Sequence, residues 1–501
     1  MPSVMNLGAL PRSEQRDNRV AVIDLLDVDA PRIYTHGELN DLIDGVAGFL
    51  TSHGLSKGAR VAILALNRVE YIATYLGIMR ARMVAVPVNI KLPASTVDYV
   101  LKDSDVSFVF CDGDRAAMAA GIPSLNFDDL GPDGFAAQIA QTPFETIDAK
   151  AGDVAQILYT SGSTGVPKGV PLTHAGMLWA LEGATRSGLE GERQIVAQPL
   201  FHMNGLMVVK SVLRNGSSIV VMPTFDARLY ADALVRWQVT RVFAVPTMFA
   251  RVLQEIAGKS LDFSHITNIT LSSAPTTEAL IRKVADAFGA IVDVSFGCTE
   301  AGPRLFGPHP AGLPKPILAL GAAVPGCDIV LEAESVTATE GVLVVRNPVV
   351  MSGYLNLPEK TADVLHDGWY RTGDVIRRDE NGFYYFVGRA DDMFICSGEN
   401  IYPGDVEKML ERHPAVQQAA VVPLADEVRG QMPAAFVVIR KDMETSVEEI
   451  RAFSIANGPA YQHPRRIAFV SDLPLAGTNK IDRRALLAAA AEYERDGRWS
   501  Q

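Results

Sequence analysis

Apolar positions along this chain follow two periods, and the change from one to the other outlines its organisation. In residues 35–52 (THGELNDLIDGVAGFLTS) Leu39, Leu42, Ile43 and Val46 fall on one helical face, and Thr35 stands where an N-cap is needed. Val61–Ala65 then reads as a strand, Glu70–Arg82 as a helix and Val84–Val88 as another strand. The theme returns at Gln194–Ala197, Ser218–Met222 and Arg241–Val245, each followed by helix-like spacing. Strand alternating with helix predicts parallel sheets covered by helices. After about Gly321 the pattern changes, and short strand-like segments (Asp328–Glu332, Gly341–Arg346) lie among Gly and Pro turns. That predicts a β-rich subdomain at about 320–388. From Asn400 a compact pattern follows: helix near Pro403–Arg412, strands at Gln418–Pro423 and Ala434–Ile439, helix near Val447–Ala456. The expected class is α/β. A large N-terminal domain (1–389, β-rich part included) precedes a small α/β C-terminal domain (390–501), with the boundary in Gly388–Asp392.

A length of 501 residues exceeds one ordinary core, which agrees with two or more domains. The net charge of −12 argues against a nucleic-acid binder but leaves room for an anionic ligand at a locally positive loop. Cys111, Cys298, Cys327 and Cys396 form no C-x-x-C pair, so buried thiols in a reducing compartment are expected, without disulfides or zinc. Met1–Asp17 is broken by Pro11, Arg12, Glu14 and Arg16, unlike a signal peptide. No run approaches the ~18 apolar residues of a membrane span. The cytoplasm is the expected compartment. Oligomeric state is not readable from these features.

Chemistry concentrates in Tyr159–Gly169 (YTSGSTGVPKG). Gly162, Gly165 and Gly169 let backbone N–H groups come close to a ligand, Thr160, Ser161, Ser163 and Thr164 offer hydroxyls, and Lys168 offsets charge. That mixture suits phosphate. The apolar run Val154–Tyr159 places the loop at a strand end. A Walker A loop would need Lys followed by Ser or Thr and then a helix, whereas here Lys168-Gly169-Val170-Pro171-Leu172 follow. A P-loop kinase or ATPase is thereby disfavoured. A mobile surface linker would be a poor match for a lysine and proline at the loop's end.

Five further stretches carry polar chemistry: PLFHMNG (Pro199–Gly205), FGCTE (Phe296–Glu300), WYRTGD (Trp369–Asp374), GRADDMFICSGENIYP (Gly388–Pro403) and LPLAGTNKIDRR (Leu473–Arg484). Each alone is most simply a turn, a packed aromatic or a satisfied histidine. Together, in this order and spacing, they resemble the adenylate-forming superfamily of acyl-CoA synthetases, stand-alone adenylation enzymes and beetle luciferases. Bacterial aryl- and acyl-CoA ligases are the nearest in kind. The resemblance runs from the helix at Glu38 to Lys480.

That resemblance implies an enzyme that joins a carboxylate to ATP, giving an acyl-adenylate and pyrophosphate, and then passes the acyl group to a thiol. Thr160–Lys168 would grip the β- and γ-phosphates, Glu300 would hold Mg²⁺, and Thr299 would bond the α-phosphate. Ser273, Ala274, Pro275, Phe296 and Gly297 would belong to the ATP/AMP site, Phe296 lying against adenine. Phe296 stands where the family often has tyrosine, which keeps the stacking face. Asp374 would accept the ribose hydroxyls, with Arg389 as its partner. Lys480 would bridge substrate carboxylate and α-phosphate, stabilising shared charge in the transition state. Asn479 replaces the usual glycine before it; asparagine also tolerates left-handed backbone, but recognition of a Gly-Lys pair by a lysine-acetylating regulator is put in doubt. Asp391 matches the hinge about which the small, mobile domain rotates between half-reactions.

Coenzyme A is the expected acceptor, because no carrier-protein segment follows the small domain in the 501 residues. Tyr461–Arg466 (YQHPRR) resembles the segment contacting the nucleotide part of coenzyme A in bacterial aryl-CoA ligases, so Tyr461, His463, Arg465 and the adjacent Arg466 are candidates, with Arg429 nearby. Gly398 and Glu399 would line the pantetheine approach. Family analogy places the acid among His202, Met203, Asn204, Gly205, Val245, Thr247, Ser273 and Ser295, with His202 as a gate that also takes part in catalysis. The stretch HMNG lacks the aspartate that holds an α-amino group, which disfavours amino-acid activation. An aryl or short-to-medium-chain acid is favoured. A dicarboxylate, a long-chain fatty acid and another acceptor stay open, and Arg282 and Arg304, the nearest cations for a second carboxylate, are expected at the surface. A non-catalytic adenylate sensor would be expected to lose Glu300 or Lys480, and both are present. Lys480→Ala is expected to abolish acyl-adenylate formation while sparing thioester formation from supplied acyl-adenylate. Equal loss of both half-reactions, followed by product mass, would sink the domain-alternation idea.

Overall fold

The computed structural model describes residues 5–10, 18–119, 121–161, 166–182, 191–333, 339–396, 399–426, 429–459, 461–476 and 480–499. Within helices and strands, the side chains of Ser161 and Asn400 are also left undescribed. Among the described residues the chain forms four sheets. The first runs in the order Ile291–Val294, Asn268–Leu271, Arg241–Ala244, Arg193–Val196, Ser218–Val221, Val20–Asp24, Arg32–Thr35, parallel except for its last strand. The second runs Ser124–Asn126, Val106–Cys111, Arg60–Leu64, Val84–Pro87, Val154–Ser161, Pro167–Thr173, again parallel except at its final pair. The two parallel sheets with covering helices agree with the alternation in the sequence.

Local signals explain the helices between these sheets. His36–Ser52 starts at a capping box: Thr35 accepts from the Glu38 N–H, and the Glu38 carboxylate accepts from the Thr35 N–H. Leu39, Ile43 and Val46 are buried, with Leu42 half-buried beside them. The next helix spans Val69–Arg80, not Glu70–Arg82. Arg82 takes a left-handed φ of 57°, its N–H reaches Met79 O (2.8 Å) and that of Met83 reaches Ile78 O (3.0 Å), which closes the helix two residues early. Every residue of Val69–Arg80 is buried. A helix buried all round needs apolar neighbours on all sides, and here one core joins it to strand residues of both parallel sheets.

A third, antiparallel sheet runs Phe306–Gly307, Ala319–Ala323, Tyr384–Arg389, Trp369–Arg378, Glu340–Arg346, Asp328–Glu332, with Leu365–His366 pairing Trp369–Arg378. It begins before the β-rich stretch read from the sequence. The fourth sheet runs Glu399–Ile401, Phe394–Cys396, Gly430–Ile439, Val416–Asp426, with Arg466–Phe469 parallel to Gly430–Ile439. Its strands bury both faces by simple alternation. Ala419 and Val421 meet residues of the helices Pro403–Leu410 and Val447–Asn457, while Ala420, Val422 and Leu424 meet Leu486 and Ala490 of Arg483–Arg495.

All four cysteines are free; Cys111, Cys327 and Cys396 are buried and Cys298 is only half-buried, a correction to the uniform burial expected. No helix among the described residues is long and apolar enough to cross a membrane.

Arg80 is fully buried, donating to Asp44 Oδ1 at 2.6 Å and to Gly8 O at 2.8 Å. Removing one member of a buried ion pair leaves the other uncompensated, at a cost of about 3–5 kcal/mol. Arg80→Leu is expected to lower the unfolding free energy by that order in chemical denaturation. A loss under about 1 kcal/mol, as for exposed pairs, would contradict it.

Candidate active site

The glycine-rich loop is carried on a β-hairpin. Val154–Ser161 pairs antiparallel with Pro167–Thr173, with Thr160 opposite Lys168 and Ser161 opposite Pro167. The loop therefore joins two strands instead of ending one, and the return strand tolerates Pro167 and Pro171 because it lies at the sheet edge. Gly162, Ser163, Thr164 and Gly165 lie outside the described residues. Thr160 Oγ1 is buried with no hydrogen-bond partner among the described residues. The hairpin is strapped from outside: Leu355 N–H donates to Gly169 O (2.8 Å), Tyr159 Oη to Asp103 Oδ2 (2.6 Å) and Asn356 Nδ2 to Asp103 O (2.9 Å). A Cβ at Gly169 would stand 3.1 Å from Leu355 Cβ and from Tyr159 Cζ, so any larger residue would push these neighbours by a few tenths of an ångström.

Lys168 Nζ lies 4.1 Å from the centroid of the Tyr354 ring. Burial holds its pKa below the ordinary lysine value; Glu300 opposes this, and Arg389 and Lys360 add to it. The Tyr354 hydroxyl donates to Glu300 Oε1 at 3.0 Å. Glu300 sits in a tight turn closed by reciprocal N–H···O bonds between Cys298 and Gly302 (3.0 and 2.9 Å), with half-buried Thr299 beside it. At Gly297 a Cβ would lie 2.3 Å from Pro303 C, so only glycine fits. Phe296 is half-buried, its ring 5.9 Å from Phe306 and 6.0 Å from Phe386.

Asp374 and Arg389 face each other across adjacent antiparallel strands, Nη1 to Oδ1 at 3.3 Å. Burial pushes Asp374 up to about 6; Arg389 opposes the shift, and Asp391 and Glu300 add to it. Arg389 also donates to both Asp391 oxygens (2.8 and 3.1 Å). Burial works against its charge, but Asp391 and Asp374 outweigh it and raise its pKa. Lys480 occupies a cleft, keeping solvent contact while surrounded by protein. Burial lowers its pKa, Asp374 opposes, and Arg389 adds to the lowering. His202 is drawn into the same group. Burial first, then Lys480 and Lys91, push it down to about 3, so its ring is neutral at pH 7, and Nε2 is buried with no partner among the described residues.

The acid-pocket candidates gather where parallel strands end, the crevice in which open α/β sheets place ligands. Val245 follows Arg241–Ala244 and caps the helix Pro246–Ile256, which contains half-buried Thr247. Ser273 and Ala274 follow Asn268–Leu271, and Ser295 follows Ile291–Val294. His202 stands at the N-cap of Met203–Asn215, with Met203 and Gly205 buried. Asn204 Nδ2 donates to Ser273 Oγ, which ties that helix to the next strand end. Ser273 has a left-handed φ of 72°, a conformation costly for serine and typical of functional loops. Pro275 is exposed. Arg304 proves half-buried, contrary to the surface position expected, because its Nε turns inward to Phe306 O (3.1 Å); Arg282 is exposed and paired with Glu278.

The coenzyme candidates form a second group on the C-terminal sheet. Arg429 pairs with Asp426 at 3.4 Å. Arg465 Nε is buried with no partner among the described residues, and burial, Arg429 and Arg451 lower its pKa. Arg451 was missed in the sequence, since a helix arginine carries no signal of what it will face. Arg466 is engaged by Glu494 through two bonds of 3.0 and 3.1 Å, so it offers less charge than expected. Tyr461 is half-buried, His463 buried, Glu399 exposed, and Gly398 outside the described residues. Tyr354 was missed too, because MSGYLN reads as an ordinary turn with a core aromatic.

Among known proteins, the family described as AMP-binding enzyme matches residues 11–355, and the AMP-binding enzyme C-terminal domain matches 405–480. A feruloyl-CoA synthase of Amycolatopsis sp. is 32% identical over 456 residues, 89% of this chain and 92% of that protein. A 2-succinylbenzoate–CoA ligase of Bacillus cereus (strain Q1) is 31% identical over 460 residues, 90% and 93% of the two chains. The crystal structure of an anthranilate CoA ligase in complex with anthranoyl-AMP superposes with a TM-score of 0.88 at 26% identity, covering 98% of each chain.

Asp374 binds its proton more tightly folded than unfolded. The stability tied to it is present below about 4 and is lost as pH rises through about 6. Asp374→Asn is expected to remove that component, so the stability of wild type minus variant should fall as pH rises from about 4 to about 6. A flat difference in denaturation midpoints across this window would refute it.

Proposed function

Because the chain belongs to the AMP-binding enzyme family and is an acid–CoA ligase that forms AMP, we propose that its substrate is an aryl carboxylic acid. The observation that carries the assignment of roles is the convergence of Lys480, Asp374, Arg389 and His202 on one cleft, beside the strand ends that bear the pocket. The aryl class rests on kinship with a feruloyl-CoA synthase, a 2-succinylbenzoate–CoA ligase and an anthranilate CoA ligase. Among His202, Met203, Asn204, Gly205, Val245, Thr247, Ser273 and Ser295 there is no Lys or Arg, so nothing in that set favours a short aliphatic dicarboxylate over an aryl group.

In this reading Lys168 and the hairpin bind the departing pyrophosphate, and Asp374, ionised above about 6, accepts the ribose hydroxyls while Arg389 holds it in place. Phe296 offers adenine a face. Lys480 lies between the acid and the α-phosphate, where its charge counts most as negative charge shifts between reactants. His202, neutral at pH 7, closes the acid side without adding charge. Glu300 fits a magnesium ion: its carboxylate is buried, accepts one hydroxyl and makes no ion pair among the described residues. No group of three or more metal-binding side chains occurs among the described residues, and magnesium commonly takes one or two carboxylates with phosphates and water. When bound, the ion offsets phosphate charge.

Residues 390–501 form the mobile domain in this proposal, turning at Asp391 so that Lys480 leaves and coenzyme A approaches. Glu399 lies on its path, and Arg429, Arg465, Tyr461 and His463 receive the nucleotide end. Free cysteines fit a reducing, cytoplasmic setting.

The test is a panel of carboxylic acids supplied with ATP, Mg²⁺ and coenzyme A, followed by product mass. Acid-dependent AMP and a thioester are expected for aromatic acids, ahead of malonate-type and long-chain acids. If a non-aromatic dicarboxylate or a fatty acid outpaces every aromatic acid, the substrate class is wrong.

A further inference from the structure

Tyr354 touches two opposite charges at once. Its ring face carries Lys168 Nζ at 4.1 Å from the centroid, and its hydroxyl donates to Glu300 Oε1 at 3.0 Å. Neither Lys168 nor Glu300 makes an ion pair among the described residues, although each acts on the other through space. Tyr354 is 6% and Glu300 8% exposed, so little water screens that attraction. With no spacer between them, an ammonium and a carboxylate that both contact one buried side chain would tend to pair directly. The tyrosine is fixed from both sides of the chain. Its own N–H donates to Thr361 Oγ1 (2.9 Å), and Leu355 and Asn356 are bonded to Gly169 and Asp103.

We propose that Tyr354 is a positioning residue that holds Lys168 and Glu300 apart, leaving the cation available to phosphate and the carboxylate to a divalent ion. This rests on the nucleotide-site assignment above. The ring gives the ammonium a weaker partner than a carboxylate, one that phosphate readily displaces. The hydroxyl satisfies one carboxylate oxygen without a charge. A tyrosine buried merely to fill the core would show no dependence on what its two neighbours carry.

The test measures ATP affinity by calorimetry in chelator, with no divalent ion and no turnover. Tyr354→Leu is expected to bind ATP about tenfold more weakly, as Lys168 collapses onto Glu300. Tyr354→Phe, which keeps the spacer ring, should stay within about threefold of wild type. Adding Glu300→Gln to Tyr354→Leu should recover most of the loss, a gain larger than Glu300→Gln gives in the wild-type background. Tyr354→Met serves in the same cycle if the leucine variant does not fold. Equal gains from Glu300→Gln in both backgrounds, or a phenylalanine variant as weak as the leucine one, would overturn the inference. If the wild type itself binds no ATP, the nucleotide-site assignment fails first and takes this inference with it.

Discussion

A chain with a net charge of −12 that uses a polyphosphate must keep a few cations available without letting its own carboxylates consume them. The cleft meets this constraint in several ways. Lys168 rests on an aromatic face, Lys480 is hemmed in with Asp374 only partly opposing, and Arg389 is shared between Asp374 and Asp391. Burial lowers the pKa of both lysines and raises that of Asp374, so an anionic ligand would improve the state of the lysines and hydroxyl donors that of the carboxylate. Such an arrangement stores unfavourable desolvation that binding can relieve. Perturbed groups of this kind are typical of catalytic clefts.

The fold supplies the positions. Three adjacent parallel strands of the first sheet deliver Val245, Ser273 and Ser295 to one end because they point the same way, and the chain must leave each strand at its carboxyl end. The antiparallel sheet serves the charges differently. Direct cross-strand register places Asp374 opposite Arg389, and a short turn between Cys298 and Gly302 presents Glu300 toward the hairpin. Two sheet types thus contribute, one bearing the candidate acid-pocket residues and the other the candidate nucleotide-binding charges. The C-terminal sheet keeps separate cores on its two faces.

Much of this was legible in the residues. Capping chemistry at Thr35, alternation in the C-terminal strands and the composition of Tyr159–Gly169 are local signals, and local geometry follows from them. Elements were displaced by a residue or two where termination depended on backbone conformation, as at Arg82. The hairpin was harder. Pro167 and Pro171 weaken the strand signal of PKGVPLT, and only its place at a sheet edge makes them harmless. Arg304 looked like a surface charge because nothing in sequence reports that its guanidinium turns back to a strand carbonyl.

By itself the sequence determined the chemistry on offer: a glycine and hydroxyl loop with a lysine, spaced carboxylates, a late lysine, and the alternation that builds parallel sheets. Those follow from side-chain type and from periods of two and 3.6 residues, which act over a few positions. The tertiary structure alone decided which charges share a cleft and what stands between them. Tyr354 belongs to a turn far along the chain from both Lys168 and Glu300, and it meets them where Leu355 is bonded to Gly169 and Met351 to Glu300 O. Electrostatic coupling depends on distance through space and on excluded water, and neither is written in the order of residues.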